Sequence, residues 1–164
     1  MTPRVTVLMP VYNGLPYLSE AIESVLSQTF ADFEFLIIDD GSTDTSGICI
    51  ESYKDPRIRF VRNEKNVGQA RTLNRGLDLA QGEYIARLDQ DDVCLPDRLK
   101  EQVAFIDARP DVAVICAWEH TIDEYGRKIR SWRREIKNYG SYLGNLLLGK
   151  CPVWHPSVMF RRQV

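Results

Sequence analysis

Short apolar runs alternating with amphipathic stretches constrain this chain more than any other feature. "RVTVLMPVY" (Arg4 to Tyr12), "FEFLIIDDGS", "IRFVRN", "EYIARLD" and "VAVICAW" have strand length and are rich in β-formers. Between them, apolar residues recur at helical spacing: Leu18, Ala21, Ile22, Val25, Leu26; then Ala70, Leu73, Leu77, Ala80; then Leu99, Val103, Ile106. A weaker helix is expected over Ile48 to Lys54, beside Gly47. Pro16 and Pro96 suit first turns, Gly82 suits the end of a helix over Gln69 to Gln81, and Pro110 closes the next.

Strands alternating with helices predict a mostly parallel sheet covered on both faces. Right-handed crossovers then place the strand C-terminal ends on one edge, where such sheets bind ligands. At 164 residues this is one domain, without repeats or low-complexity tracts. After Trp118 the alternation weakens into a loop, a basic segment, a Gly-interrupted helix candidate and a last strand near Ser157 to Phe160.

Two strands end in acid. The second runs into Asp39 and Asp40; the fourth runs into Asp89, Asp91 and Asp92. Alternation makes Asp39 and Asp40 point oppositely, and aims Asp89 and Asp91 the same way while the strand stays extended. Two carboxylates on one face repel unless a cation joins them. Mg²⁺ or Mn²⁺ fits, because such ions share one or two carboxylates with substrate phosphates. A solvated turn leading into the next helix is the alternative.

Other readings lack their signals. "PVYNGLPYL" has one Gly where a dinucleotide fold wants GxGxxG, and neither a P-loop nor a GxSxG elbow occurs. His120 and His155 have no metal-ligand spacing, which favours structural roles. Cys49, Cys94, Cys116 and Cys151 form no CxxC pair and read as buried free thiols of a reducing compartment. The net charge of −2 argues against wholesale nucleic-acid binding. No apolar run reaches transmembrane length, and no signal peptide precedes the first strand. These features suit a cytoplasmic protein, with room for peripheral contact at the inner face of the membrane.

"VTVLMPVYNG", "SVLSQTFADFEFLIIDDGSTD", "NVGQARTLNRGL", "GEYIARLDQDD" and "LPDRL" resemble, in order, the successive blocks of family 2 glycosyltransferases of the GT-A fold. The resemblance covers roughly Val5 to Leu99 and continues weakly through "HPSVMFRR". It implies a Rossmann-like three-layer α/β/α sandwich and a metal-dependent, inverting transfer from a nucleotide-diphosphate sugar, UDP-sugars being favoured. The acceptor would be a saccharide or a lipid-linked molecule. By resemblance, Pro10 and Tyr12 line the nucleotide pocket, Asp40 (with Asp39 as second choice) bonds the base, and Arg71 approaches the nucleotide. Asp91 is the principal metal ligand, and Asp89 contacts ribose or metal. Gln90 joins the nucleotide-binding set, as does Gly68 unless it only opens its helix. Tyr12 could instead be an ordinary half-buried aromatic, and Arg71 part of a wet helix face.

The family's general base lies in a later block, so the resemblance places it beyond Val164 and implies a domain incomplete at its C-terminal end. Residues 1–99 would be the nucleotide-binding half and 119–164 a partial acceptor-side region. Glu119, Asp123 and Glu124 are not assigned as the base. The basic segment "GRKIRSWRREIK" reads either as a solvated edge strand or as a cradle for an anionic acceptor. Two other classes stay open: a nucleotidyltransferase and a non-catalytic sugar-nucleotide-binding module.

Overall fold

The computed structural model describes residues 2–132, 153 and 155–163. Strands β1 (Val5–Val11), β2 (Phe33–Asp39), β3 (Ile58–Arg62) and β4 (Tyr84–Arg87) alternate with helices α1 (Leu18–Leu26), α2 (Ser46–Ser52), α3 (Gln69–Leu79) and α4 (Arg98–Asp107). Then follow β5 (Val114–Cys116), β6 (Glu119–Ile122), β7 (Lys128–Trp132), a 3₁₀ turn at His155–Ser157 and β8 (Val158–Arg161).

The main sheet has the order β3-β2-β1-β4-β8-β5. β1 to β4 are mutually parallel, whereas β8 inserts between β4 and β5 and runs antiparallel to both. The expected mostly parallel sheet with helices on both faces is present. One face buries Val5, Val7, Met9, Val11, Phe35 and Ile37 against Leu18, Ile22 and Val25 of α1, Ile50 of α2, and Leu99, Val103 and Ile106 of α4. The other buries Leu8, Leu36, Ile38 and Ile85 beneath α3. Each such side chain contributes roughly 1.5–3 kcal/mol on burial.

Several local expectations change. Helix α3 ends at Leu79, before Gly82, and its inward residues are Thr72 and Gly76, with Leu73 and Leu79 half-buried; Leu77 is exposed. The reason is a close helix–sheet approach: a Cβ on Gly76 would lie 2.4 Å from Leu8 Cδ1. Gly82 is required by packing, since a Cβ there would meet Thr6 N at 2.4 Å. Helix α2 begins earlier than expected, with Gly47 inside its first turn. Cys49, Cys94 and Cys116 are free thiols, but Cys116 is exposed on an edge strand; Cys151 lies outside the described residues. Within the basic segment, Lys128–Trp132 forms β7, which pairs with β6 in a separate two-stranded sheet. Residues 133–137 and the Gly-interrupted helix candidate lie outside the described residues.

Candidate functional site

The strand order reverses at β1, with β2 and β3 on one side and β4 on the other. Crevices open at the C-terminal ends of strands flanking such a point. The β1–β2 ladder continues to Val11 and Asp39, whereas the β1–β4 ladder stops at Leu8 and Arg87. Even-numbered groups of β1 face β4, as the Leu88 N–H donating to Leu8 O at 3.1 Å shows. Pro10 is therefore aimed at a side with no rung left, and its missing N–H costs nothing there. Tyr12 is the next even position. Its N–H donates to Gln90 Oε1 at 2.8 Å, and Gln90 Nε2 donates to Tyr12 O at 3.2 Å. The Tyr12 side is 42% exposed, at the lip of the crevice.

Asn13 follows in the left-handed region (φ 50°), which Asn tolerates better than most residues. Its Oδ1 accepts from the N–H groups of Thr43 (2.9 Å) and Asp44 (3.3 Å). Its own N–H donates to Ser42 Oγ at 3.0 Å, and the Gly14 N–H donates to Ser46 Oγ at 2.9 Å. The three successive N–H groups of Tyr12, Asn13 and Gly14 are thus taken by side chains from other segments: Gln90, Ser42 and Ser46 at the start of α2. A glycine-rich phosphate loop leaves such groups free for an anion; this turn does not.

The acids after β2 diverge, as alternation requires. Asp39 is fully buried; its Oδ1 accepts from the Ser42 N–H at 2.8 Å. Its Oδ2 forms an ion pair with Arg62 Nε at 3.1 Å without an aligned hydrogen bond. Asp40 Oδ1 accepts from Asn63 Nδ2 (2.6 Å) and the Val67 N–H (3.0 Å), and Oδ2 accepts from the Gly68 N–H (2.9 Å). Burial alone would raise its pKa, but the bonds from Asn63, Val67, Thr72 and Gly68 together hold it below the usual carboxylate range. Gly68 caps α3 at φ 92°, a conformation that favours glycine. Arg71, in the first turn of α3, is exposed.

The third loop carries Asp89 to Asp92. Strand β4 ends at Arg87, and the Asp92 N–H donates to Asp89 O at 3.2 Å, closing a turn. Extended geometry therefore does not last to Asp91, and strand alternation does not orient it. Both Asp89 oxygens are held by the buried Arg87 guanidinium, at 2.5 and 3.1 Å, and Gln69 Nε2 donates to Oδ1 at 3.3 Å. Asp91 is exposed. Asp92 is pushed up to about 6, first by burial and then by Asp89 and Asp91. Glu119, at the start of β6, is also raised by burial and by Asp92, and its Oε1 is buried without a hydrogen-bond partner.

Among the described residues, no group of three or more His, Cys, Asp or Glu is arranged to hold a metal by protein ligands alone. An ion completed by substrate phosphates would need as few as one carboxylate from the protein. Asp91 fits this role as it stands. Asp89 fits it only by sharing an oxygen with Arg87.

The structure thus gathers Pro10, Tyr12, Asp40, Gly68, Asp89, Gln90 and Asp91 around one edge, with Arg71 on the adjoining helix. Asp39 is turned into the β2–α2 side. Sequence reasoning missed Asn13, Asn63 and Arg87. Arg87 had a signal, standing two strand positions before Asp89. His120 is exposed beside Lys128, His155 is exposed, and Trp154 lies outside the described residues. A shallow groove at the opposite edge is lined by Asp32, Glu34, Arg57, Arg59 and Gln81. Arg59 there pairs with Glu34, Arg57 pairs with the neighbouring Asp55, and Asp32 Oδ1 accepts from the Arg4 N–H at 3.3 Å.

The model of the family described as "Glycosyl transferase family 2" matches residues 6–164. The chain belongs to glycosyl transferase family 2. Two of its relatives in this family are uncharacterized glycosyltransferases. One, of Methanocaldococcus jannaschii, is 35% identical over 99% of this chain and 57% of its own length; the other, of Rickettsia felis, is 39% identical over 95% and 25%. Staphylococcus aureus TarS 1–349 in complex with UDP-GlcNAc superposes with a TM-score of 0.77 at 25% identity, covering 97% of this chain and 45% of that one. The Pyrobaculum calidifontis mannosyltransferase PcManGT, in complex with GDP-Man and Mn²⁺, gives 0.65 at 28% identity, covering 73% and 36%. The family 2 chain described here therefore has the GT-A fold and spans about half, or less, of the length of these relatives. Among the described residues, no helix is long and apolar enough to cross a membrane.

Proposed function

We propose that this chain binds a nucleotide-diphosphate sugar, a UDP-sugar being favoured, at the β1/β4 crevice. In the whole protein it would serve metal-dependent, inverting transfer to a saccharide or lipid-linked acceptor. One observation carries the reading: the Tyr12 loop, the Asp40-anchored start of α3 and the Asp89–Asp92 turn meet at the point where the strand order reverses.

The division of labour follows from what each group has free. Tyr12 offers a half-exposed ring to base or ribose. Asp40 holds the entrance of α3 and thereby places Arg71. The N–H groups of Tyr12, Asn13 and Gly14 are already taken by side chains, so the negative charge of a diphosphate would be met by Arg71 and by a cation on Asp91. Mg²⁺ or Mn²⁺, when bound, would neutralise the diphosphate and make it a better leaving group. The bound relatives, one with UDP-GlcNAc and one with GDP-Man and Mn²⁺, support a nucleotide-sugar donor. No residue of this chain is assigned as the base for the acceptor hydroxyl.

The test is the thermal midpoint with UDP, GDP and other nucleoside diphosphates, each with Mn²⁺ and with EDTA. Ligand at 100 times its Kd stabilises by about 2.7 kcal/mol, a rise of roughly 5–10 °C for a domain of this size. A shift that needs both one nucleotide and Mn²⁺, and that Asp91→Asn abolishes, is the expected result. Folded protein that responds to no nucleotide overturns the proposal.

A further inference from the structure

Beyond the last β1–β4 rung at Leu8 and Arg87, the two chains separate, and nothing in the backbone ladder fixes the distance between Tyr12 and the acidic turn. The Gln90 side chain spans that gap. Its carboxamide meets the Tyr12 peptide groups as a strand neighbour would, accepting from N–H at 2.8 Å and donating to C=O at 3.2 Å. Gly14 leaves room for this fit. A Cβ there would lie 3.0 Å from Gln90 Oε1 and 3.1 Å from its Cδ, tighter than ordinary contact. On its far side the same loop is pinned to Ser42, Thr43 and Ser46. Among the described residues, the Tyr12 peptide groups bond to Gln90, on the side facing the acidic turn.

We infer that Gln90, seated against Gly14, is a positioning residue that fixes the span between the nucleoside end of the site at Tyr12 and the diphosphate end at Asp91. This rests on the nucleotide-binding reading above and gives Gln90 a different task within it: its amide is spent on the protein main chain. A ligand that must touch both ends needs that span set beforehand, because ordering it on binding costs affinity. A ligand that touches only one end does not.

The experiment compares the wild-type chain with Gln90→Ala, Gly14→Ala and the double variant. Dissociation constants are measured for UDP and GDP with Mn²⁺, for the matching nucleosides, and for Mn²⁺ alone; a thermal melt confirms folding. We expect Gln90→Ala to weaken the diphosphate about 5- to 20-fold while nucleoside and Mn²⁺ affinities change less than twofold. Gly14→Ala, whose methyl would press the amide aside by a few tenths of an ångström, should weaken the diphosphate in the same direction and by no more. The double variant should be no weaker than Gln90→Ala alone, because the two changes break one contact. Equal diphosphate affinity in wild type and Gln90→Ala, equal losses for all probes, or additive losses in the double variant each overturn the inference alone. A folded wild type that binds none of the nucleoside diphosphates of the panel above overturns the proposed function and this inference with it.

Discussion

The guanidinium of Arg87 holds both carboxylate oxygens of Asp89, at 2.5 and 3.1 Å, with the arginine side chain 6% exposed and the aspartate 22%. Asp91, two residues on, is exposed. Two acids that look equivalent in the sequence therefore have different tasks in the free protein: one neutralises a buried cation, the other is exposed and has no hydrogen bond or ion pair among the described residues.

Asp89→Asn should destabilise the ligand-free chain by about 1–3 kcal/mol, since it removes a charge-assisted bidentate pair and leaves Arg87 buried without its counter-charge. Asp91→Asn should stay within about 0.5 kcal/mol of wild type. Urea unfolding in EDTA separates the two. Equal stability of both variants would mean that the Arg87 pair contributes nothing to the fold.

Asp40 ties β2 to the start of α3 through Asn63, Val67 and Gly68. Asp40→Asn turns an N–H₂ toward a donor and should cost about 2–4 kcal/mol. Because its folded pKa lies below the ordinary 3.8, its contribution is fully present above that value and is lost as pH falls through the folded one. The variant should therefore show a flatter loss of stability in acid than wild type.

Asp92 has the opposite sign. Its pKa rises from 3.8 to about 6, so the folded chain takes up a proton between these values that the unfolded chain does not. The resulting penalty grows as pH rises through this window and is complete above it. The rise corresponds to at most about 3 kcal/mol, reduced to about 1–2 by the solvent that reaches the group. Asp92→Asn should stabilise the chain by that amount at pH 8 in EDTA, and the gain should vanish below about pH 4, the ordinary aspartate value.

Gly82→Ala would place a methyl 2.4 Å from Thr6 N and 2.6 Å from Val5 C, both main-chain atoms of the central strand. Neither neighbour can rotate away, so we expect a loss of about 2–4 kcal/mol. A lowered urea midpoint with an unchanged slope is the signature; an unchanged midpoint would mean that β1 and β4 can shift apart freely.

Much of the architecture was legible because periodicity encodes it. Leu18, Ile22 and Val25, or Leu99, Val103 and Ile106, are inward at the spacing a helix imposes. The inward face of α3 was misread because Gly76 carries no hydrophobic signal, yet its lack of a side chain lets Leu8 approach. The place of β8 was not legible either: alternation marks a strand, but neither its neighbours nor its direction. Of the site, the acids at strand ends and Tyr12 stood out by type and position. Asn13 and Asn63 did not, and Arg87 was marked only by its place two positions before Asp89, since each acts by satisfying a group whose need is created by the fold.

The sequence by itself determined that this chain is a wound α/β sheet whose acids collect at one edge, because strand and helix periods, strand ends and turn residues are local properties. Only the tertiary structure decided which of those acids are free. Asp40 is taken by Asn63, 23 residues away, Tyr12 by Gln90, 78 residues away, and Asp39 by Arg62 on the neighbouring strand. A carboxylate or an N–H is available to a ligand only when no distant partner has claimed it, and that is settled when the sheet assembles.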